Sequence, residues 1–331
     1  MRLGVSTFSL TNEWLSRRFT LESLLERVAD AGLGPGLEVI GHQSWRGYPR
    51  LPREDVVAFR RLCDRLGLEP AAIGGYVDLL RRPGSAMTVE ECVEALEAQV
   101  DVASGLGFPV IRLHVGVPVP AIERVVPAAE RAGVVLATEF QGPQSPDDPS
   151  LRALLELRER VDGSPSVALV LDFSIAMRAI PTTFGEAVRS AGMARGDLDR
   201  IVELWRGGAN VGELFAAIAA TDAPGIAQDE ARSGFVRFGR QDPAVWAPLV
   251  PLIAHAHAKF WELDEAGDDP TTDNRGAVDT LLAGGFQGVV TSEWGGNAWV
   301  DLDDVDGFAI VAQHRRLLGR LGQRTPASAP A

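Results

Sequence analysis

Hydrophobic positions along the chain fall into short apolar runs, each followed by a polar loop and then a longer segment with apolar residues every three to four positions. Eight such runs predict strands at Arg2–Phe8, Gly36–Ile40, Pro70–Gly75, Val110–Val115, Val134–Glu139, Val167–Asp172, Leu252–Lys259 and Gly288–Glu293. Each is near-continuously apolar, as a parallel strand covered on both faces must be. Between them, Thr20–Ala31, Asp55–Leu66 and Thr88–Leu106 read as amphipathic helices. Thr88 with Glu91 three residues on predicts a capping box. Gly32, Gly67, Gly105, Gly133 and Gly285 each follow a helical segment, where a left-handed residue ends the helix and starts the next strand.

Eight strands alternating with helices predict an α/β fold of the (β/α)8 TIM barrel type. An open doubly wound sheet would call for a glycine-rich turn after the first strand, and Ser6-Thr7-Phe8-Ser9-Leu10 is not one. The gap from Asp172 to Leu252 is several times longer than one helix needs. Helical patterns at Asp197–Trp205, Val211–Ala220 and Pro243–Val250 predict a helical insertion over 174–250 between strands 6 and 7, on the active-site face. The expected organisation is a single barrel domain over 1–322 and a disordered Pro/Ala/Ser-rich tail over 323–331.

The formal charge is −13, with 32 Lys plus Arg against 45 Asp plus Glu. This excludes a binder of nucleic-acid backbone, whose affinity rests on cations. The acidic balance also favours a neutral sugar over a sugar phosphate. Cys63 and Cys92 are expected as buried thiols in a reducing compartment. No apolar run is long enough to span a membrane, and the N-terminus lacks a signal-peptide pattern, so a cytoplasmic protein is expected.

Three strands close on a carboxylate, Glu139, Asp172 and Glu293, and a fourth carries His255 and His257. A barrel brings the C-terminal ends of its strands to one mouth. Buried anions are costly unless a cation compensates them, and three oxygen ligands with one imidazole suit a divalent metal. Glu139, Asp172, His257 and Glu293 are therefore the expected ligands. His255, His257 and Lys259 alternate along one strand and share a face. His257, nearer the strand's end, is the expected ligand, and His255 lies a layer deeper. Lys259 can reach a substrate oxygen, and His42 and His114, at early strand ends, are candidate acids or bases. Trp45, Trp261 and Trp294 follow strand ends and offer aromatic faces for a sugar, as does Phe140. Arg46, Gln141 and Arg275 are further candidate substrate contacts. His314, among arginines in the last helix, is expected at the surface.

With these residues in place, the chain resembles the xylose isomerase-like TIM-barrel superfamily, which includes ketose 3-epimerases, inosose dehydratases, hydroxypyruvate isomerases and endonuclease IV. "RLGVSTFSL", "GLEVIG" and "GFQGVVTSEW" are similar to that superfamily's own segments. Within it, "HAHAKFWELDEAG" and "GVVTSEWGGNAW" look most like the large (alpha) subunit of bacterial C-glycoside deglycosidases. Gln141 departs from a histidine common in relatives, and Phe173-Ser174 from a Gly-His pair. Endonuclease IV draws on many histidines for three zinc ions, whereas this chain has five histidines in all.

The resemblance implies proton abstraction beside a carbonyl, with a divalent ion, Mn2+ foremost and Mg2+, Co2+ or Zn2+ as alternatives. It implies a lyase that cleaves a 3-keto C-glycoside by enolisation and elimination. A ketose 3-epimerase or sugar isomerase is the alternative, and a non-catalytic sugar-binding barrel the second. Glu139 and Glu293 would flank the substrate, and His42, His114 and Lys259 would assist. A small beta subunit and an oligomeric assembly are further expectations.

Overall fold

A computed structural model describes residues 1–77, 79, 85–301 and 304–323. Eight parallel strands close into a barrel in chain order. They are β1 (Arg2–Ser6), β2 (Gly36–Ile40), β3 (Glu69–Gly74), β4 (Val110–His114), β5 (Val135–Phe140), β6 (Val167–Asp172), β7 (Ile253–Phe260) and β8 (Val289–Trp294). All eight predicted strands are present, with ends that move by at most two residues. The expectation of a disordered tail falls, from residue 324 on, outside the described residues. Gly322 itself ends the last helix, Gly307–Gly322.

The apolar runs exist because each strand packs two ways. Outward residues such as Val39, Ile73, Leu136, Leu171 and Val290 join the helices in one large core. Inward residues near the barrel floor are small: Ala72, Val110, Ala137, Ala168 and Val170. Above that floor, charged side chains take the place of the apolar layers that usually fill such a barrel.

Local signals work largely as read. Thr88 caps Val89–Leu106 in a capping box with Glu91, and Thr20 does the same with Ser23 for Leu21–Asp30. Gly67 and Gly133 cap their helices in the left-handed conformation. Gly105 does not: it lies inside its helix, and Gly107 ends that helix at φ 90°. The helix runs two residues further because Ala103 and Leu106 are both wholly buried and extend its core face.

Between β6 and β7 the chain forms helices at Thr182–Ser190, Arg195–Arg206, Val211–Ala219 and Gly225–Phe235, then a long 3-10 segment at Pro243–Leu252. The first and fourth were not predicted; each is short and glycine-bearing. These helices enclose their own core around Phe184, Ile201, Trp205, Phe235 and Phe238, and Trp261 from the end of β7 joins it. Gly239 seats the segment on the barrel loops. A Cβ there would lie 2.0 Å from the Gly142 carbonyl oxygen and 2.6 Å from that of Ile175. Its backbone is fixed on both sides, since Gly239 N donates to Ser174 O and its carbonyl accepts from Met177 N.

Cys63 and Cys92 are both buried. No described helix is long and apolar enough to cross a membrane.

Candidate metal centre

Parallel register sets the centre. Asp172 pairs with His257, Lys259 with Glu293, and His114 with Glu139. Residues in register lie at one height, and those of the right parity point inward. Glu139, Asp172, His257 and Glu293 therefore meet at the barrel mouth, all buried, each offering a ligand atom within 4.8 Å of the others.

His257 Nδ1 faces the carboxylates, 2.7 Å from Glu139 Oε1, 3.1 Å from Glu293 Oε2 and 3.6 Å from Asp172 Oδ2. Asp172 divides its work. Its Oδ1 accepts from Ser174 N at 2.7 Å and caps the short turn that follows β6. Its Oδ2 is buried with no hydrogen-bond partner among the described residues. An orphaned carboxylate oxygen beside an imidazole and two further carboxylates fits a divalent ion well.

Two charged residues that sequence reasoning missed complete the centre. Glu38, in the middle of β2, lies below His257, its Oε2 2.9 Å from His257 Nε2. His255 Nε2, 3.3 Å away, and the Thr291 hydroxyl, also at 3.3 Å, converge on the same oxygen. Arg112, in the middle of β4, reaches Glu139 Oε2 with Nη1 at 3.3 Å and brings Nε within 3.7 Å of Glu38 Oε1. Gly74 on β3 makes room for it, since a Cβ there would stand 2.9 Å from the guanidinium. The signal was present in the sequence: a lone charge interrupts the apolar run in both "GLEVI" and "VIRLH".

Charge balance argues for one dication. Glu38, Glu139, Asp172 and Glu293 carry four negative charges, and Arg112 and Lys259 two positive ones, so 2 − 4 = −2 remains. In a low-dielectric interior that residue is strongly unfavourable. Titration reflects it. Burial resists a charge on His257, but Glu293, Glu38 and Glu139 overcome it and hold the imidazole well above its usual pKa. Burial raises Asp172, beyond what Lys259 and His257 restore. Burial also opposes ionisation of Glu38, yet His257 and His255 keep it well below the carboxylate range. A proton on His257 thus does part of the neutralising work that a divalent ion would do.

Lys259 Nζ lies 3.1 Å from Glu293 Oε2 and 4.0 Å from Asp172 Oδ2, over the Phe8 ring at 4.4 Å. His114 stands at the rim, its side chain 47% exposed. Its Nε2 is 2.9 Å and its Nδ1 3.4 Å from Arg112 Nη1, a group that can only donate, so the ring accepts from the guanidinium. Burial and Arg112 push its pKa down to about 4. His42 is exposed, in the turn Gly41–Ser44 after β2. Burial and Arg112 lower its pKa too.

The remaining candidates lie further out or are covered. Gln141 directly follows β5, its backbone N donating to Gln144 Oε1. His255 lies under His257, as the alternation implied. Trp261 and Trp294 are wholly buried; Trp294 donates to the Trp261 carbonyl, and Trp261 stacks on Trp299. Trp45 packs edge-on against Phe59 in the helical layer, and Phe140 against Trp246. Arg46 and Arg275 are exposed, in a loop and in the first turn of Asn274–Ala283.

His314 corrects an expectation. It is not at the surface but wholly buried, stacked on Phe260 at 3.9 Å between ring centroids. Its Nδ1 is 3.1 Å from Ser292 Oγ and its Nε2 3.4 Å from Asn274 Oδ1. Helical spacing places it with Val311, Leu318 and Leu321 on the core face, while its neighbouring arginines turn outward.

Comparison with known proteins agrees with this fold. The family described as xylose isomerase-like TIM barrel matches residues 25–303. The 3'-dehydrocarminate deglycosidase alpha subunit of a Microbacterium species is 32% identical, covering 97% of this chain and 95% of its own. A C-glycoside deglycosidase alpha subunit of Arthrobacter globiformis is also 32% identical, over 91% and 87% of the two chains. Among solved structures, an L-ribulose 3-epimerase superposes with a TM-score of 0.55 at 17% identity, covering 97% of this chain and 94% of its own. A D-allulose 3-epimerase from Methylomonas does so at 0.58 and 12%, over 97% and 98%; at such identities the likeness is one of fold. The chain belongs to the xylose isomerase-like TIM barrel family, grouped with the alpha subunits of C-glycoside deglycosidases.

Proposed function

We propose that this chain is a divalent-metal-dependent lyase that cleaves a 3-keto C-glycoside, with Mn2+ as its ion. The observation that carries the reading is the buried Glu139–Asp172–His257–Glu293 set with its unbalanced negative charge, in a chain similar over nearly its whole length to deglycosidase alpha subunits. These four residues would hold the ion, which when bound polarises the sugar carbonyl and acidifies the neighbouring C–H.

The chain's own groups would do the rest. Glu293 faces the substrate from β8 and takes the proton from C2. The electron pair forms the C1=C2 double bond, and the C1–aryl bond breaks with its pair going to the aryl carbon. That carbon takes up a proton as the bond breaks, so no free aryl anion forms, and the products are the intact aglycone and an unsaturated keto sugar. Lys259, held charged beside Glu293 and Asp172, donates to a sugar oxygen. His114 is engaged by Arg112 and serves as a hydrogen-bond donor through its other ring nitrogen. His42, exposed in the turn after β2, is the rim group able to exchange a proton.

Glu139 and Glu293 come from β5 and β8 and lie on different sides of the mouth. That arrangement also favours the second reading, epimerisation of a free ketose by proton transfer on two faces. Incubation with Mn2+ and either a 3-keto aryl C-glucoside or a free ketose decides. Release of the aglycone is expected; epimerisation without release would replace the first reading by the second. The relatives are named alpha subunits, so a small beta-subunit partner is part of the proposal and an oligomeric assembly is expected. The lack of a membrane-crossing helix among the described residues accords with a cytoplasmic location.

A further inference from the structure

The mouth of the barrel has two unlike halves. The half built from β5 to β8 is charged. The other, from the ends of β2, β3 and β4, presents three rings: His42, Tyr76 and His114. Tyr76 stands between the histidines, its centroid 5.3 Å from that of His42 and 6.5 Å from that of His114, edge-on to the latter. Tyr76 is 47% exposed, one of few large apolar side chains so open.

Its exposure is not laxity. Gln99, wholly buried on the helix behind, receives Tyr76 N on Oε1 at 2.9 Å and donates from Nε2 to Tyr76 O at 3.0 Å. The Tyr48 hydroxyl donates to the same Oε1 at 3.2 Å. A buried amide thus clamps both backbone groups of Tyr76 and holds its ring in the open. At the other end, His114 touches Arg112, which touches Glu139, so the aromatic wall begins where the charged set stops.

We propose that Tyr76, flanked by His42 and His114, forms the subsite for the planar phenolic ring system of the leaving group. This rests on the lyase reading above. The chemistry selects the occupant. Breaking a carbon–carbon bond leaves the departing carbon with an electron pair, and an electron-rich arene accepts this because its ring carbon is readily protonated. Such an aglycone is flat and apolar-faced with hydroxyls at its edge. A fixed tyrosine ring stacks on the face, and two imidazoles reach the hydroxyls. A free sugar carries no aglycone to place on this wall.

The test uses the full chain with Mn2+ and two substrates: a 3-keto aryl C-glucoside, followed by aglycone release, and 3-keto-glucose, followed by C2 proton exchange in D2O. Tyr76→Ala is expected to raise KM for the aryl substrate by about tenfold or more. The matching loss on the free sugar should be at least about fivefold smaller, and Tyr76→Phe, which keeps the ring, should stay within about threefold of the parent on the aryl substrate. Equal losses on both substrates, or an unchanged aryl KM, would overturn the subsite. Should the parent protein act on neither substrate, alone or with its beta-subunit partner, the lyase reading fails separately. Titration with a free planar phenol such as a flavone then decides: weaker binding by Tyr76→Ala sustains the subsite, and equal binding ends it.

Discussion

Glu38 Oε2 approaches His257 Nε2 to 2.9 Å from beneath, while His257 Nδ1 looks up at three carboxylates. One imidazole thus links two layers of the barrel. A carboxylate behind a ligating histidine fixes its ring and tautomer and strengthens it as a ligand. Glu38→Gln should keep the fold, with an unaltered circular dichroism spectrum, and weaken Mn2+ binding by about 10–100-fold in calorimetry. Unaltered affinity would show that His257 needs no support from below.

Removal of divalent ions should abolish activity and lower the melting temperature. With Mn2+ at about 100 times its Kd, mass action adds roughly 2.7 kcal/mol to stability. Differential scanning calorimetry of chelated and Mn2+-loaded protein should show a rise of several degrees. Asp172→Asn, which removes one anion and one orphaned oxygen, should shrink that rise.

Metal uptake should release protons. Neighbouring carboxylates hold His257 well above its ordinary pKa, so without metal it carries a proton at neutral pH. Ligation requires the neutral ring, so apparent Mn2+ affinity should fall as pH is lowered. Calorimetric titrations in buffers of different ionisation enthalpy should report the release of at least about one proton per ion at pH 7. A buffer-independent enthalpy would contradict the protonated state.

His314 predicts a slope in the stability of the whole barrel. Burial pushes its pKa down to about 3, from about 6.5 unfolded. Below 6.5 the unfolded chain takes up a proton that the folded chain refuses, so stability falls with pH between about 6.5 and 3, by at most about 5 kcal/mol. His314→Gln loses the stack on Phe260 and lowers stability at pH 7. It should also flatten the acid limb in urea titrations at pH 7, 6 and 5. An equally steep limb in the variant would assign the slope elsewhere.

Gly239→Ala tests how the inserted helices are seated. Its Cβ would meet two carbonyl oxygens well inside contact distance, on a backbone fixed by hydrogen bonds in both directions. A cost of about 1–3 kcal/mol is expected, with activity lost ahead of global unfolding. Chemical denaturation and activity measured on the same samples would check the order of events.

The barrel was legible because strands covered on both sides leave unmistakable apolar runs, and β2 and β6 were placed to the residue. Three of the four proposed ligands were legible because a carboxylate closing such a run has few inexpensive explanations, and His257 because it alternates with His255 and Lys259 on one strand. Glu38 and Arg112 were passed over because they lie within runs rather than at their ends. Yet every second residue of a barrel strand faces inward, so a mid-strand charge reports on the barrel's interior as directly as a terminal one. His314 was misplaced by its arginine neighbours, where the spacing to Val311 and Leu318 was the better guide. Tyr76 left no trace in the pattern, since its role depends on a glutamine on another element.

β7 carries His255, His257 and Lys259 inward at three successive depths, while Ala256 and Ala258 turn their methyls to the outer core. Shifting the register there by one residue would swing all three polar groups out of the lumen and the two methyls in. Loops and helices above this stave can change length without disturbing that alternation, whereas the stave itself cannot gain or lose a single residue and keep it.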